Sequence, residues 1–158
     1  MYFKCKYIYN MKLIAEGGTS YIKEANNPRW VVKIFKKNVS KSLQQPQHSH
    51  HRGENLYERE VDFLKVLKNR CAPHVVKLKG YDDKERKIIL GKCDGDFSQY
   101  NKLTKVQLLS VLLDVAKSMD FLHDLGICHN DLGLRNILYI INGNNIIHGF
   151  VSDFGDSV

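Results

Sequence analysis

Apolar residues fall in short alternating runs over the first third of the chain and in helically spaced sets beyond it. Residues 6–16 (KYIYNMKLIAE), 21–25 (YIKEA) and 30–35 (WVVKIF) are β-like runs separated by the turn signals GGTS and NNPR, which predicts a three-strand antiparallel meander. From Glu54 to Arg70, Leu56, Phe63, Leu64 and Leu67 recur at helical spacing between charged residues, predicting an amphipathic helix. Residues 74–93 (HVVKLKGYDDKERKIILGKC) give two more strands around a charged turn, so the first ninety residues read as a sheet of about five strands with one helix. A second helix is predicted from Lys105 to Leu125. Its apolar set of Leu108, Leu109, Leu112, Leu113, Val115, Ala116, Met119 and Leu122 covers so much of the circumference that deep burial is expected. NILYI and IIHGFVSD then flank NGNN, whose Asn-Gly pair predicts a tight hairpin. No internal repeat is present.

Residues 37–53 interrupt this order with a polar stretch rich in Gln, Ser and His, containing Pro46, which reads as a long loop. Its His48, His50 and His51 are metal-ligand types, but a polar loop seldom supplies the rigid supporting shell that coordination needs. The 158 residues and 43% hydrophobic content suffice for one domain or two small lobes with a real core. No apolar run approaches the roughly 20 residues that cross a bilayer. Lysines interrupt the apolar pairs of the opening MYFKCKYIYNMK, so a soluble, cytoplasmic protein with no membrane contact is expected. Cys5, Cys71, Cys93 and Cys128 are scattered without a Cys-x-x-Cys pair, which points to reduced thiols. The charge of +7 is spread along the chain instead of forming a basic block, so nucleic acid is not the expected partner.

The chemistry concentrates in GICHNDLGLRNILYI, residues 126–140, where His129, Asp131 and Asn136 fall within eight positions. A single hairpin then returns Asp153 toward that loop, so three oxygen-bearing side chains converge. Asn136 and Asp153 would offer hard oxygen ligands suited to Mg²⁺, and Asp131 would stay available to accept or orient a proton. Such a set suits phosphoryl transfer, which rests mainly on positioning and charge neutralisation.

With these residues in place, the sequence resembles the eukaryotic protein kinase family, in order and through nearly the whole chain. AEGGTSYI is similar to the glycine-rich phosphate loop, VVKIF to the strand carrying the ATP-contacting lysine, and EREVDFLKVL to the helix carrying its glutamate partner. APHVVKLKGY is similar to the segment after that helix, IILGKCDGDF to the hinge, CHNDLGLRN to the catalytic loop and SDFG to the metal-binding aspartate motif. The resemblance implies an α+β, protein-kinase-like fold: a small β-rich N-lobe with one helix (residues 1–90), then the hinge and an incomplete helical C-lobe (residues 91–158). It implies ATP and Mg²⁺ as ligands and transfer of the γ-phosphate to protein Ser, Thr or Tyr hydroxyls. Gly17, Gly18 and Ser20 would cradle phosphate. Lys33 would contact the α- and β-phosphates and pair with Glu60. Leu90 would be the gatekeeper beside the adenine pocket, with Gly91, Lys92 and Cys93 as the hinge. Asp131 would be the catalytic base, Asn136 and Asp153 the metal ligands, and His129 and Phe154 packing residues.

Several positions depart from the family pattern. Ala15 and Ser20 occupy the first and third glycine positions of the loop. Asn130 replaces the usual arginine, and Gly133 stands where serine/threonine kinases carry a lysine. Arg135 stands where tyrosine kinases carry an arginine. The chain ends after DFGDSV, before the activation segment and later helices of the family, so a truncated product, a domain completed by another chain, or a regulatory mimic is expected. Leucines on the second helix would then be exposed and would offer a docking face for a protein substrate or a kinase-related partner. Two other functions fit the same residues. One is an inactive kinase-like binding module. The other is a choline-kinase or aminoglycoside-phosphotransferase relative, whose catalytic loop CHNDLGLRNIL also resembles.

Overall fold

A computed structural model describes residues 11–36 and 56–158. Cys5, residues 6–10 of the first predicted strand, the stretch 37–53 with His48, His50 and His51, and the first two residues of the predicted helix lie outside the described residues. The predicted meander is present as β1 (Leu13–Glu16), β2 (Ser20–Glu24) and β3 (Trp30–Phe35). With β4 (Leu78–Asp82) and β5 (Lys87–Gly91) they form an antiparallel sheet in the order β1-β2-β3-β5-β4. The turn before β3 closes because the Asn27 side chain accepts the Arg29 N–H at 2.9 Å and its carbonyl accepts the Trp30 N–H at 3.0 Å.

Helix α1 (Leu56–Asn69) buries Tyr57, Glu60, Val61, Leu64 and Leu67, the one-sided set that a 3.6-residue period places against a sheet. Each fully buried leucine here contributes about 1.5–3 kcal/mol. Glu60 is the exception on that face, a carboxylate placed in a row of apolar side chains. The helix stops at Cys71, whose positive φ of 53° breaks the helical backbone.

Helix α2 (Lys105–Asp124) starts on a capping box between Thr104 and Gln107. It packs on the hairpin β7 (Ile137–Ile141) and β8 (Ile147–Val151), closed by Asn142 and by Asn145 in the left-handed region at φ 63°. Glycine is required at 149, because a Cβ there would lie 2.8 Å from the Val111 carbonyl of α2. A short strand that the sequence pattern did not mark, β6 (Gly95–Asp96), adds to β7, giving a second sheet in the order β6-β7-β8, and a 3₁₀ helix at Phe97–Lys102 follows it.

Deep burial of α2 is not what the structure shows. Its buried positions are Val111, Asp114, Val115, Ser118 and Leu122, while Val106, Leu109 and Leu113 are 76%, 67% and 57% exposed. The helix has one covered stripe, and Leu109 and Leu113 on the remaining circumference face outward. Asp114 is buried because its Oδ2 accepts the Gly149 N–H at 3.1 Å and its Oδ1 lies 3.3 Å from His74 Nε2.

The two sheets share one core. Val75 forms a parallel bridge with Val151, the Val76 N–H donates to the Val151 carbonyl at 3.0 Å, and the Val151 N–H donates to the His74 carbonyl at 2.8 Å. The connection after α1 is thereby fastened to the strand that leads to Asp153.

Candidate functional site

Lys33 points from the middle of β3 into the space between the sheet and α1. Its Nζ donates to Glu60 Oε2 at 2.7 Å and to Asp153 Oδ1 at 2.8 Å. Three elements distant in sequence therefore meet at one ammonium. Burial alone would lower the lysine pKa, but the two carboxylates outweigh it and hold the group above its ordinary value. Burial pushes the Glu60 carboxyl upward; Lys33 offsets part of this rise and the neighbouring Asp153 adds to it. The cluster holds two carboxylates against one ammonium, and Glu60 Oε1 is buried without a hydrogen-bond partner among the described residues. Asp153, with a positive φ of 65°, keeps 43% of its side chain exposed.

The predicted loop residues also meet. Asn136 Nδ2 donates to Asp131 Oδ2 at 2.9 Å and to the Asp131 carbonyl at 2.8 Å, which fixes one carboxylate oxygen and leaves the Asn136 Oδ1 outside both bonds. The Asn136 carbonyl accepts the Ser152 N–H at 2.9 Å, so strand pairing carries Asp153 to the same end of the hairpin. His129 is 2% exposed; its Nε2 lies 3.0 Å from the Ser152 carbonyl and its ring 5.0 Å from that of the fully buried Phe154. Both are packing residues, as expected. Asn130 sits at φ 60° and donates from Nδ2 to the Asp156 carbonyl at 3.2 Å. Cys128 and Val158 exchange two backbone bonds of 2.9 and 3.0 Å, so the residues after Phe154 run beside the loop.

Gly17 and Gly18 lie in the turn between β1 and β2, and the Gly17 N–H donates to the Ser20 carbonyl at 2.9 Å. Leu90 is buried. In residues 91–93, the predicted hinge, the Lys92 N–H donates to the Arg29 carbonyl at 2.8 Å and the Gly91 N–H to the Lys77 carbonyl at 2.9 Å. Of the hinge amides, Cys93 alone has no backbone partner among the described residues. The Cys93 thiol is pushed up to about 12 by burial and then by Asp94, which makes it a poor nucleophile at neutral pH.

Among the described residues no cluster of three or more His, Cys, Asp or Glu side chains forms a metal cage. The donor set does fit a hard cation that keeps phosphate and water ligands: the Asp153 carboxylate, the Asn136 amide oxygen and an excess of one negative charge around Lys33.

Sequence reasoning missed two residues that shape this site. Asp94 Oδ2 accepts the Ile141 N–H at 2.7 Å and so fastens the segment after β5 to β7. Lys36 donates to the Gly17 carbonyl at 2.8 Å. Neither has a motif signal, since each bond depends on strands paired across the fold.

The sequence matches the family model described as Protein kinase domain over residues 10–158. It is 32% identical to Tyrosine-protein kinase hopscotch of Drosophila melanogaster over 96% of this chain and 13% of that protein. It is 26% identical to Serine/threonine-protein kinase TDA1 of Saccharomyces cerevisiae over 90% of this chain and 27% of that protein. Ephrin type-A receptor 3 of Danio rerio is 31% identical over 73% of this chain and 12% of its own length. The chain thus spans under a third of each of these relatives.

Proposed function

Because the chain belongs to the protein kinase family, we propose that it binds ATP with Mg²⁺ between residues 1–90 and 91–158 and transfers the γ-phosphate to a protein hydroxyl. The observation that carries this reading is the single ammonium of Lys33 held at 2.7 and 2.8 Å by Glu60 and Asp153. Glu60 fixes Lys33 where it would meet the α- and β-phosphates, and the Gly17–Gly18 turn would face the same phosphates with backbone N–H groups. Leu90 would border the base, and the Cys93 amide would bond it. Asp153 and the Asn136 Oδ1 would hold Mg²⁺, which when bound neutralises charge on the phosphates. Asp131, oriented by Asn136, would align the acceptor hydroxyl and take its proton. The relatives include tyrosine and serine/threonine kinases, so either hydroxyl type is within reach of the reading.

A thermal-shift titration with ATP, with and without Mg²⁺, tests it beside Asp153→Ala, since a ligand that binds only the folded chain raises the melting temperature. A Mg²⁺-dependent rise lost in the variant is expected, followed by label transfer from ATP to Ser, Thr or Tyr peptides and none to choline or an aminoglycoside. A cooperative melt that ignores nucleotide would turn the reading to a docking module acting through the outward leucines of α2.

A further inference from the structure

A residue outside the glycine-rich turn bonds two of its carbonyls. Lys36, at the end of β3, makes two bonds to that turn from different atoms. Its backbone N–H donates to the Thr19 carbonyl at 2.9 Å, and its Nζ donates to the Gly17 carbonyl at 2.8 Å. The same ammonium bonds Glu16 Oε1 at 2.9 Å and lies 4.6 Å from the centre of the Tyr21 ring. With the Ser20 carbonyl taken by the Gly17 N–H, the carbonyls of Gly17, Thr19 and Ser20 are all occupied within the protein. The amides of Gly18 and Thr19 have no backbone partner among the described residues.

A backbone cradle attracts an anion only when its N–H groups face inward and its carbonyl oxygens are turned elsewhere. We propose that Lys36 is a positioning residue for the phosphates, a latch whose side chain turns the Gly17 carbonyl away, beside the backbone bond that holds the Thr19 carbonyl whatever residue stands at 36, and that leaves the Gly18 and Thr19 amides for the ligand. Glu16 and the Tyr21 ring hold the latch in place. Its ammonium is committed to these partners, so it acts through the turn and does not itself meet the nucleotide. The inference rests on the nucleotide reading above and adds to it a residue that no kinase motif assigns.

The test compares Mg-ATP with adenosine, which lacks phosphates, on the wild-type chain, Lys36→Met and Lys36→Arg. Lys36→Met is expected to bind Mg-ATP about fivefold more weakly, the scale of one exposed ion pair, with adenosine binding unchanged. Its ligand-free melting temperature is expected to stay within about 2 °C of wild type, as for a surface substitution. Lys36→Arg is expected to restore most of the Mg-ATP affinity, and any turnover should show a raised KM for ATP with kcat little changed. Equal Mg-ATP affinity in Lys36→Met and wild type overturns the latch, as does a parallel loss of Mg-ATP, adenosine and melting temperature, which marks a residue that only supports the fold. A wild-type chain that binds neither ligand overturns the nucleotide reading and the latch with it.

Discussion

Two pairings of acid with nitrogen donor dominate the site, and they are built in opposite ways. The Lys33 cluster joins residues 27 and 120 positions apart and is buried at its centre. The Asp131–Asn136 pair joins residues five apart on an exposed loop. A buried ion pair exists only because the surrounding fold holds it, and removing one partner strands the other charge in a poor dielectric. An exposed local pair is screened by water and adds little to the fold. The difference separates duties: the first arrangement makes the Lys33 cluster part of the core, while the second leaves the acid at position 131 replaceable without structural cost.

The strongest challenge to this contrast is Lys33→Met, expected to cost about 3 kcal/mol in chemical denaturation because Glu60 is left without its counter-charge. Glu60→Gln added to it should recover part of that loss. A single variant as stable as wild type would show that the cluster is not integral to the core. Next in size is Gly149→Ala, a purely steric control at the α2–β8 contact. The 2.8 Å approach to the Val111 carbonyl predicts a loss of about 1–3 kcal/mol, measured by the same melts.

Cys93 lies between the two extremes, half-buried after β5, and is read through pH. Its folded pKa of about 12 lies above the ordinary thiol value of 9.0, so the folded chain holds the proton more tightly than the unfolded one. The resulting stability is present below pH 9 and is lost as pH rises toward 12. Cys93→Ala should therefore lose less stability than wild type between pH 8 and pH 10.5, and alkylation of the wild-type thiol by iodoacetamide should be slow at pH 7.5. Identical alkaline slopes would remove the thiol from the account. The smallest effect is expected at the exposed pair, where Asp131→Asn should change stability by under about 0.5 kcal/mol. A larger drop in its melting curve would erase the distinction between the two sites.

Much of this arrangement was legible in the residue pattern because it is local. Alternation marked β2 and β3, a one-sided apolar set marked α1, and Asn-Gly marked the hairpin. Lys33, Glu60, Asp131, Asn136 and Asp153 were each carried by a short motif. The parts that escaped depend on distant partners. The two residues of β6 pair with Tyr139 and Leu138, far along the chain, and offer no period of their own. On α2, counting apolar residues overstated burial, because Asp114 took an inward position through Gly149 and His74 while Leu109 and Leu113 turned outward. Periodicity gives the width of an apolar face, but the neighbouring elements decide which part of it is covered.

The bonds joining His74 and Val76 to Val151 carry a mechanical consequence. They tie the segment that follows α1 to β8, the strand that leads into Asp153, through backbone groups that no side-chain substitution removes. While these bonds hold, a displacement of β8 would carry the end of α1 with it, so Glu60 and Asp153 would keep their common hold on Lys33.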